Sequence, residues 1–308
     1  MRKMIFFIKK INITARTMAE YAWVMLMMCG DSYLPGALTL CHSLIETKTK
    51  ADIVIMVTSD VSAEAREQLQ KLDKVKVKQV DYITGEFKGK MSNKQKEKYG
   101  KWMNKIPTKL NVLTLTEYKK IIMLDLDVIV TTNCDELFEM PAPAGLWEFY
   151  QDVDTRTRKR YFRSQTSYKL ANLKHGDKVP PSLVDQALSS TFVCWGTSLI
   201  LTPNIDDFNN ILQLVREGFY RPGCMSGFEE QIIAFYYRDR WTKIKSTYSL
   251  VPWKPWNGIP TDCLDGKILH FHGSTKPWEY RETDEEVTKW PDVALWHSYY
   301  RKYKQSTQ

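Results

Sequence analysis

An α/β protein with a doubly wound, mostly parallel central sheet is what this sequence predicts, on three observations. Strand-like apolar runs alternate with amphipathic helical segments over residues 21–80. A second apolar run, Ile121 to Leu124, ends in Asp125-Leu126-Asp127 and resumes as Val128-Ile129-Val130. A late apolar strand, Lys267 to Phe271, leads into Gly273 and Lys276. Runs that are apolar on both faces belong in a buried parallel sheet. Ligands of such sheets bind beyond the carboxyl ends of the strands, where both polar sequences fall.

The elements follow in order. Tyr21–Cys29 reads as a buried strand, and Gly30-Asp31-Ser32-Tyr33 as a turn. Pro35 suits the first turn of a helix whose apolar face is Ala37, Leu38, Leu40, Cys41, Leu44 and Ile45. Ile53–Val57 is a second strand, and Ser62 an N-cap for a helix to Leu72. Val75–Val80 alternates and is a half-exposed third strand. Pro107–Leu115 and Asp135–Phe138 read as helices, and Ala144–Trp147 as a strand. Thr197–Leu201 is a strand; Ile205–Arg216 and Phe228–Tyr237 are helices, and a last helix spans about Val293–Tyr303. No repeat, low-complexity tract or linker divides the chain. The expectation is an extension over residues 1–18 and one domain over 19–308, interrupted by an insertion at about 151–190.

The chain has 308 residues and carries a net charge of +8. That charge favours anionic partners without choosing among them. Lysines crowd residues 84–105, which reads as a solvated loop or, more sharply, as a loop closing over phosphates. Basic and aromatic residues interleave over 156–168, but without a nucleic-acid signature, so nucleic acid is not expected as a partner. The 6 cysteines form no Cys-x-x-Cys pair, which excludes zinc-ribbon and thioredoxin readings. Cys29, Cys41 and Cys194 have apolar neighbours and read as buried thiols. Scattered cysteines and apolar stretches too short to span a membrane point to a cytoplasmic protein.

Asp125 and Asp127 stand one residue apart at a strand end, so alternation sends both carboxylates one way and Leu126 the other. Burying two unpaired carboxylates is costly, whereas a hard divalent cation takes oxygen ligands. His270 ends a second strand. Alone it would read as a core histidine, but beside a carboxylate pair it completes a mostly oxygen donor set suited to Mn²⁺ or Mg²⁺. Gly273 permits close backbone approach to a ligand, and Lys276 is a point charge for a phosphate oxygen.

Leu124-Asp-Leu-Asp127 with Asn133-Cys-Asp-Glu-Leu-Phe138, and His270-x-x-Gly-x-x-Lys-Pro-Trp278, resemble glycosyltransferase family 8, the glycogenin-like retaining enzymes. Gly100-Lys-Trp, His175-Gly-Asp-Lys, Phe228-Glu-Glu-Gln231 and Val251-Pro-Trp are similar to a branch found in large DNA viruses, including baculoviruses. The resemblance implies a Rossmann-like domain of the GT-A type and a UDP-sugar donor. It implies that Asp125, Asp127 and His270 bind the metal. Leu26, Met28 and Tyr33 would line the uridine pocket, with Tyr33 stacking on uracil. Leu126 would offer backbone to the ribose, and Lys109 would reach donor sugar or phosphate. Gly273 and Lys276 would hold the diphosphate. Glu230 and Gln231 fall where the family usually has Asp-Gln, beside the sugar and acceptor.

Two departures stand out. Trp195-Gly196-Thr197 replaces a usual Asn-Ser-Gly, and Trp253 and Trp256 occupy the region where glycogenin carries its acceptor tyrosine. The reading is a metal-dependent retaining transferase moving a hexose, glucose by resemblance, from a UDP-sugar to a glycan or protein hydroxyl. A homodimer is compatible with it. Self-glycosylation is not expected: after incubation with UDP-glucose and Mn²⁺, intact mass should show no ladder of hexose additions. The alternative is a nucleotide- or glycan-binding protein of the same fold that has lost transfer.

Overall fold

A computed structural model describes residues 19–307, leaving out 90–96, 98–99, 148–151, 155–158, 162–172, 191–194, 225, 253–265 and 274. The expectations for residues 1–18, for Trp253 and Trp256, for Cys194 and for most of the basic insert therefore lie outside the described residues. The strands are β1 (Tyr21–Met27), β2 (Asp52–Val57), β3 (Val75–Gln79), β4 (Lys120–Met123), β5 (Val128–Val130) and β6 (Ala144–Leu146). They continue as β7 (Asp152–Asp154), β8 (Lys159–Tyr161), β9 (Trp195–Leu201), β10 (Thr242–Lys243) and β11 (Ile268–His270). The helices are α1 (Leu34–Glu46), α2 (Ala63–Gln70), α3 (Pro181–Ser190), α4 (Ile205–Arg216), α5 (Phe228–Tyr236), α6 (Glu285–Lys289) and α7 (Pro291–Ser306).

Seven strands form the main sheet in the order β10-β6-β9-β4-β1-β2-β3. β9 runs antiparallel to both of its neighbours, and all other pairs are parallel. β1 lies between β2 and β4, so it is apolar on both faces. Its odd positions, Trp23, Met25 and Met27, pack under α1, α2 and α7. Its even positions, Ala22 and Val24, pack on the other face with α3, α4 and α5. Full burial of a side chain the size of Val24, Met25 or Met27 contributes roughly 1.5–3 kcal/mol. Helices on both faces of a mostly parallel sheet are the doubly wound α/β arrangement the sequence predicts.

Local signals set several boundaries. Pro35 stands in the first turn of α1, where a missing N–H costs nothing. Ser62 caps α2 by accepting the Ala65 N–H at 3.1 Å. Cys29 and Gly30, at φ of 62° and 85°, end β1 two residues before the sequence reading. Cys29 is half-buried rather than buried, because it stands in this turn and not in the strand.

The expected helix at 107–115 is a 3₁₀ helix, Ile106–Thr114. Nine residues of apolar pattern do not separate i→i+3 from i→i+4 bonding. Asp135–Glu139 is 3₁₀ as well. Part of 151–190 belongs to the core: α3 buries Val184 and Ala187 beside α5. Beyond the main sheet, β5 pairs antiparallel with β11, His270 opposite Val128. No helix among the described residues is long and apolar enough to cross a membrane.

Candidate active site

The carboxyl ends of β1 and β4 lie side by side. β1 and β4 are parallel, with Val24 opposite Met123. Continuing that register sets Leu26 beside Asp125. The chain then turns through Asp125-Leu126-Asp127 into β5, and β5 carries β11 with His270 at its end. The Phe271 N–H donates to the Asp127 carbonyl at 2.8 Å, which ties the two loops together. One ligand atom each from Asp125, Asp127 and His270 falls within a 4.8 Å span. Two carboxylates and an imidazole at that spacing fit a divalent cation by donor chemistry and by reach.

Each carboxylate already faces a lysine. Asp127 lies 2.5 Å from Lys276 Nζ and 3.4 Å from His270 Nε2. Burial pushes its carboxyl up, but Lys276 and His270 more than offset that and hold it well below the usual carboxylate range. Asp125 Oδ1 lies 2.8 Å from Lys109 Nζ, and its Oδ2 accepts the Thr197 hydroxyl at 2.9 Å. Burial and the neighbouring Asp127 raise its carboxyl, while Lys109 and His270 pull it below its ordinary value. Burial lowers the Lys109 ammonium, yet Asp125 and Glu229 leave it above the ordinary lysine range. So much paired charge in one cleft is what a cation and a phosphate would exchange into.

Leu26, Met28 and Tyr33 are half-buried at the end of β1 and the start of α1. Tyr33 meets Trp278 edge-to-face, with centroids 5.2 Å apart. Trp278 therefore links the Lys276 loop to the expected base pocket. Gly273 has φ 143°, a conformation that favours glycine. The Leu126 backbone packs on α1: a Cβ added at Gly36 would lie 2.6 Å from the Leu126 carbonyl oxygen.

Glu230 and Gln231 stand in the first turn of α5. Glu230 Oε2 accepts the Gly227 N–H at 2.8 Å and so caps its own helix, α5. Gln231 is buried, its amide accepting from the Arg221 N–H at 3.0 Å and donating to the Ser226 carbonyl at 3.0 Å. The residue that meets Lys109 is Glu229, 3.4 Å away and 5% exposed. Burial pushes its carboxyl up to about 7 against the pull of Lys109, and Glu230 adds to the rise. Sequence reasoning missed Glu229 and Thr197. Three consecutive polar residues opening a helix signalled a polar first turn without choosing its inner member. Thr197 stood at the departure from Asn-Ser-Gly, which was the signal available.

The described part of the lysine-rich loop also makes specific contacts. Lys88 donates to the Gly218 carbonyl at 3.3 Å, and Lys105 lies 4.4 Å from the Tyr82 ring centroid. Cys29, Cys41 and Cys134 are free thiols.

A doubly wound sheet with an Asp-x-Asp turn and a histidine at adjoining strand ends defines a GT-A type fold with a candidate metal site. Over residues 24–178 the chain matches the family described as Glycosyl transferase family 8. It belongs to that family. An uncharacterized protein of Acanthamoeba polyphaga mimivirus is 28% identical over 93% of this chain and 96% of its own length. A match in a large DNA virus agrees with the viral branch. Glycogenin of Neurospora crassa is 24% identical over 90% of this chain, which spans 35% of that protein's length. Galactinol synthase 2 of Arabidopsis thaliana is 25% identical over 88% of this chain and 80% of its own. Among solved structures, the galactosyltransferase LgtC, crystallised with donor and acceptor sugar analogues, has a TM-score of 0.53 at 12% identity. That match covers 91% of this chain and 95% of LgtC. The bifunctional glycosyltransferase WbbM has a TM-score of 0.53 at 13% identity, over 92% of this chain and 52% of its own. These structural likenesses speak for the fold.

Proposed function

We propose that this chain is a retaining hexosyltransferase, dependent on Mn²⁺ or Mg²⁺, that moves glucose from a UDP-sugar to a glycan or protein hydroxyl. Residues 19–308 form its single catalytic domain. The observation that carries the reading is the 4.8 Å cluster of Asp125, Asp127 and His270 with a lysine on each carboxylate. Those three side chains would hold the cation, which supplies Lewis-acid stabilisation of a departing diphosphate. Lys276 stands in the same loop as Gly273 and turns from Asp127 to a phosphate oxygen. Its ammonium then meets the negative charge that grows as the glycosidic bond breaks. Lys109 lies on the β4 side, where it reaches the donor sugar or phosphate. Tyr33, Leu26 and Met28 enclose the uridine, and Leu126 offers backbone to the ribose. The net charge of +8 helps draw in an anionic donor.

A screen of UDP-sugars for metal-dependent UDP release tests the proposal. Release with one donor and loss of release on chelation are expected. Tight UDP binding with no turnover of any donor would instead favour the binding-protein reading.

Two further results are expected. Tyr33→Ala should weaken UDP binding by about 1–3 kcal/mol, the range for base–aromatic stacking, and Tyr33→Phe should be mild. Calorimetric titration checks this; equal losses for both would assign the contact to the hydroxyl. Glu230 and Gln231 enter the proposal as residues beside the sugar and acceptor, on the family resemblance. Glu230→Gln should cut transfer at least about tenfold, or about 1.4 kcal/mol of barrier. The product linkage, read from its anomeric proton coupling, should be α. Since Gln can also accept the Gly227 N–H, unchanged transfer would leave Glu230 as the cap of α5 alone.

A further inference from the structure

We propose that Glu229 is a positioning residue that receives Lys109 when a divalent cation takes Asp125; this rests on the cation site proposed above. Lys109 Nζ lies 2.8 Å from Asp125 Oδ1 and 3.4 Å from Glu229 Oε1. A cation on Asp125 competes with the ammonium for the same carboxylate. Thr197 holds the other Asp125 oxygen at 2.9 Å, so the carboxylate is not free to turn and serve both. The Lys109 side chain is 14% exposed, too little for water to take over its charge. An ammonium left unpaired there would be costly, and the cation would bear that cost.

Glu229 removes it. The residue is 5% exposed, and its Oε2 has no hydrogen-bond partner among the described residues. A shift of well under ~1 Å brings Lys109 Nζ to charge-assisted hydrogen-bond distance from Oε1. The first turn of α5 fixes the backbone of Glu229, since Glu230 caps that turn through the Gly227 N–H and Gln231 ties it to Arg221 and Ser226. Lys276 on the opposite side has an alternative acceptor as well, the Phe271 carbonyl at 3.3 Å. Both lysines can therefore yield their carboxylates to one cation and remain charged beside it. The seat for Lys109 is a carboxyl group it already faces at 3.4 Å, so the ammonium keeps a partner on loading.

Mn²⁺ binding to the full chain without nucleotide, followed by the paramagnetic resonance of free Mn²⁺, tests this. Glu229→Gln should weaken Mn²⁺ binding by at least about fivefold, the lower end of a site-to-site coupling. Glu229→Asp, which keeps the charge, should recover most of the loss and guards against a folding defect. In a Lys109→Met background the effect of Glu229→Gln should shrink severalfold, because no ammonium needs a second seat. An equal loss in both backgrounds would make Glu229 only a source of negative field and would overturn the proposal. So would a Mn²⁺-loaded crystal structure with Lys109 still on Asp125. A wild-type chain that binds no Mn²⁺ would instead overturn the cation site, and this inference with it.

Discussion

Asp127→Asn is expected to reduce metal-dependent UDP release by at least about a hundredfold, comparable with removing one preorganised stabilising group from a transfer site. The variant loses a cation ligand and also the anion that positions Lys276. The structure predicts a stability cost too, because Lys276 is 6% exposed and pairs with Asp127 at 2.5 Å. Breaking a buried pair on one side costs about 3–5 kcal/mol. The new amide carbonyl still accepts from Lys276, so the loss should fall toward the lower end. Adding Lys276→Met should restore stability without restoring activity, since it removes the stranded charge but no ligand returns. Thermal melting and UDP release, measured on both variants, separate the two roles. Near-wild-type turnover by Asp127→Asn would disprove the assignment of Asp127 to the metal.

The same pair sets an acid limit. Asp127 has a folded pKa well below its ordinary value, so the stability it contributes is present above the unfolded carboxylate pKa of about 3.9. That contribution is lost as pH falls through the folded value. The acid limb of the melting profile should therefore be shallower in Asp127→Asn than in the wild type.

The fold was legible where burial and caps coincide. β1, β2 and β4 are apolar on both faces because each sits inside the sheet with a strand on either side. Pro35 and Ser62 marked helix starts by chemistry that tertiary packing did not override. The pairing of β5 with β11 was not legible. Each has three residues, and the register between Val128 and His270 is a long-range property that no local pattern encodes. Even so, the three candidate cation ligands, two carboxylates and a histidine at apolar strand ends, stood out as types, and the structure brings one ligand atom of each within 4.8 Å.

Side-chain assignment beyond them was harder. Successive residues on a helix differ by about 100° in direction, so Glu229, Glu230 and Gln231 cannot all face one cleft. Which one does depends on how α5 seats on the Ile106–Thr114 segment that carries Lys109. Thr197 was hidden for a different reason. A β-branched residue opening an apolar strand looks like a packing choice, and its hydroxyl acquires meaning only once β9 is known to lie beside β4.

Gly36→Ala should lower the melting temperature by several degrees and weaken Mn²⁺ binding about tenfold, although it replaces glycine by the best helix former. In an open helix the change would stabilise by up to about 1 kcal/mol. At Gly36 the new methyl would lie 2.6 Å from the Leu126 carbonyl oxygen, and 2.8 Å and 2.9 Å from two ring carbons of Trp278. One obstacle is backbone between Asp125 and Asp127, the two candidate cation ligands, and the other is an indole wedged between Tyr33 and Trp296. Neither is the loose end of a flexible side chain. Nor can α1 back away readily, since Leu40, Cys41 and Leu44 are fully buried and α7 packs behind it. Overpacking of this kind costs about 1–3 kcal/mol, which exceeds the propensity gain. What yields most easily is the Asp125–Asp127 turn, and its displacement spreads the ligands that now lie within 4.8 Å. Gly100→Ala is the control, because a methyl there meets nothing within 4 Å among the described residues. It should be neutral or mildly stabilising, with Mn²⁺ binding unchanged. A higher melting temperature for Gly36→Ala with full Mn²⁺ affinity would mean that α1 does not brace the metal turn.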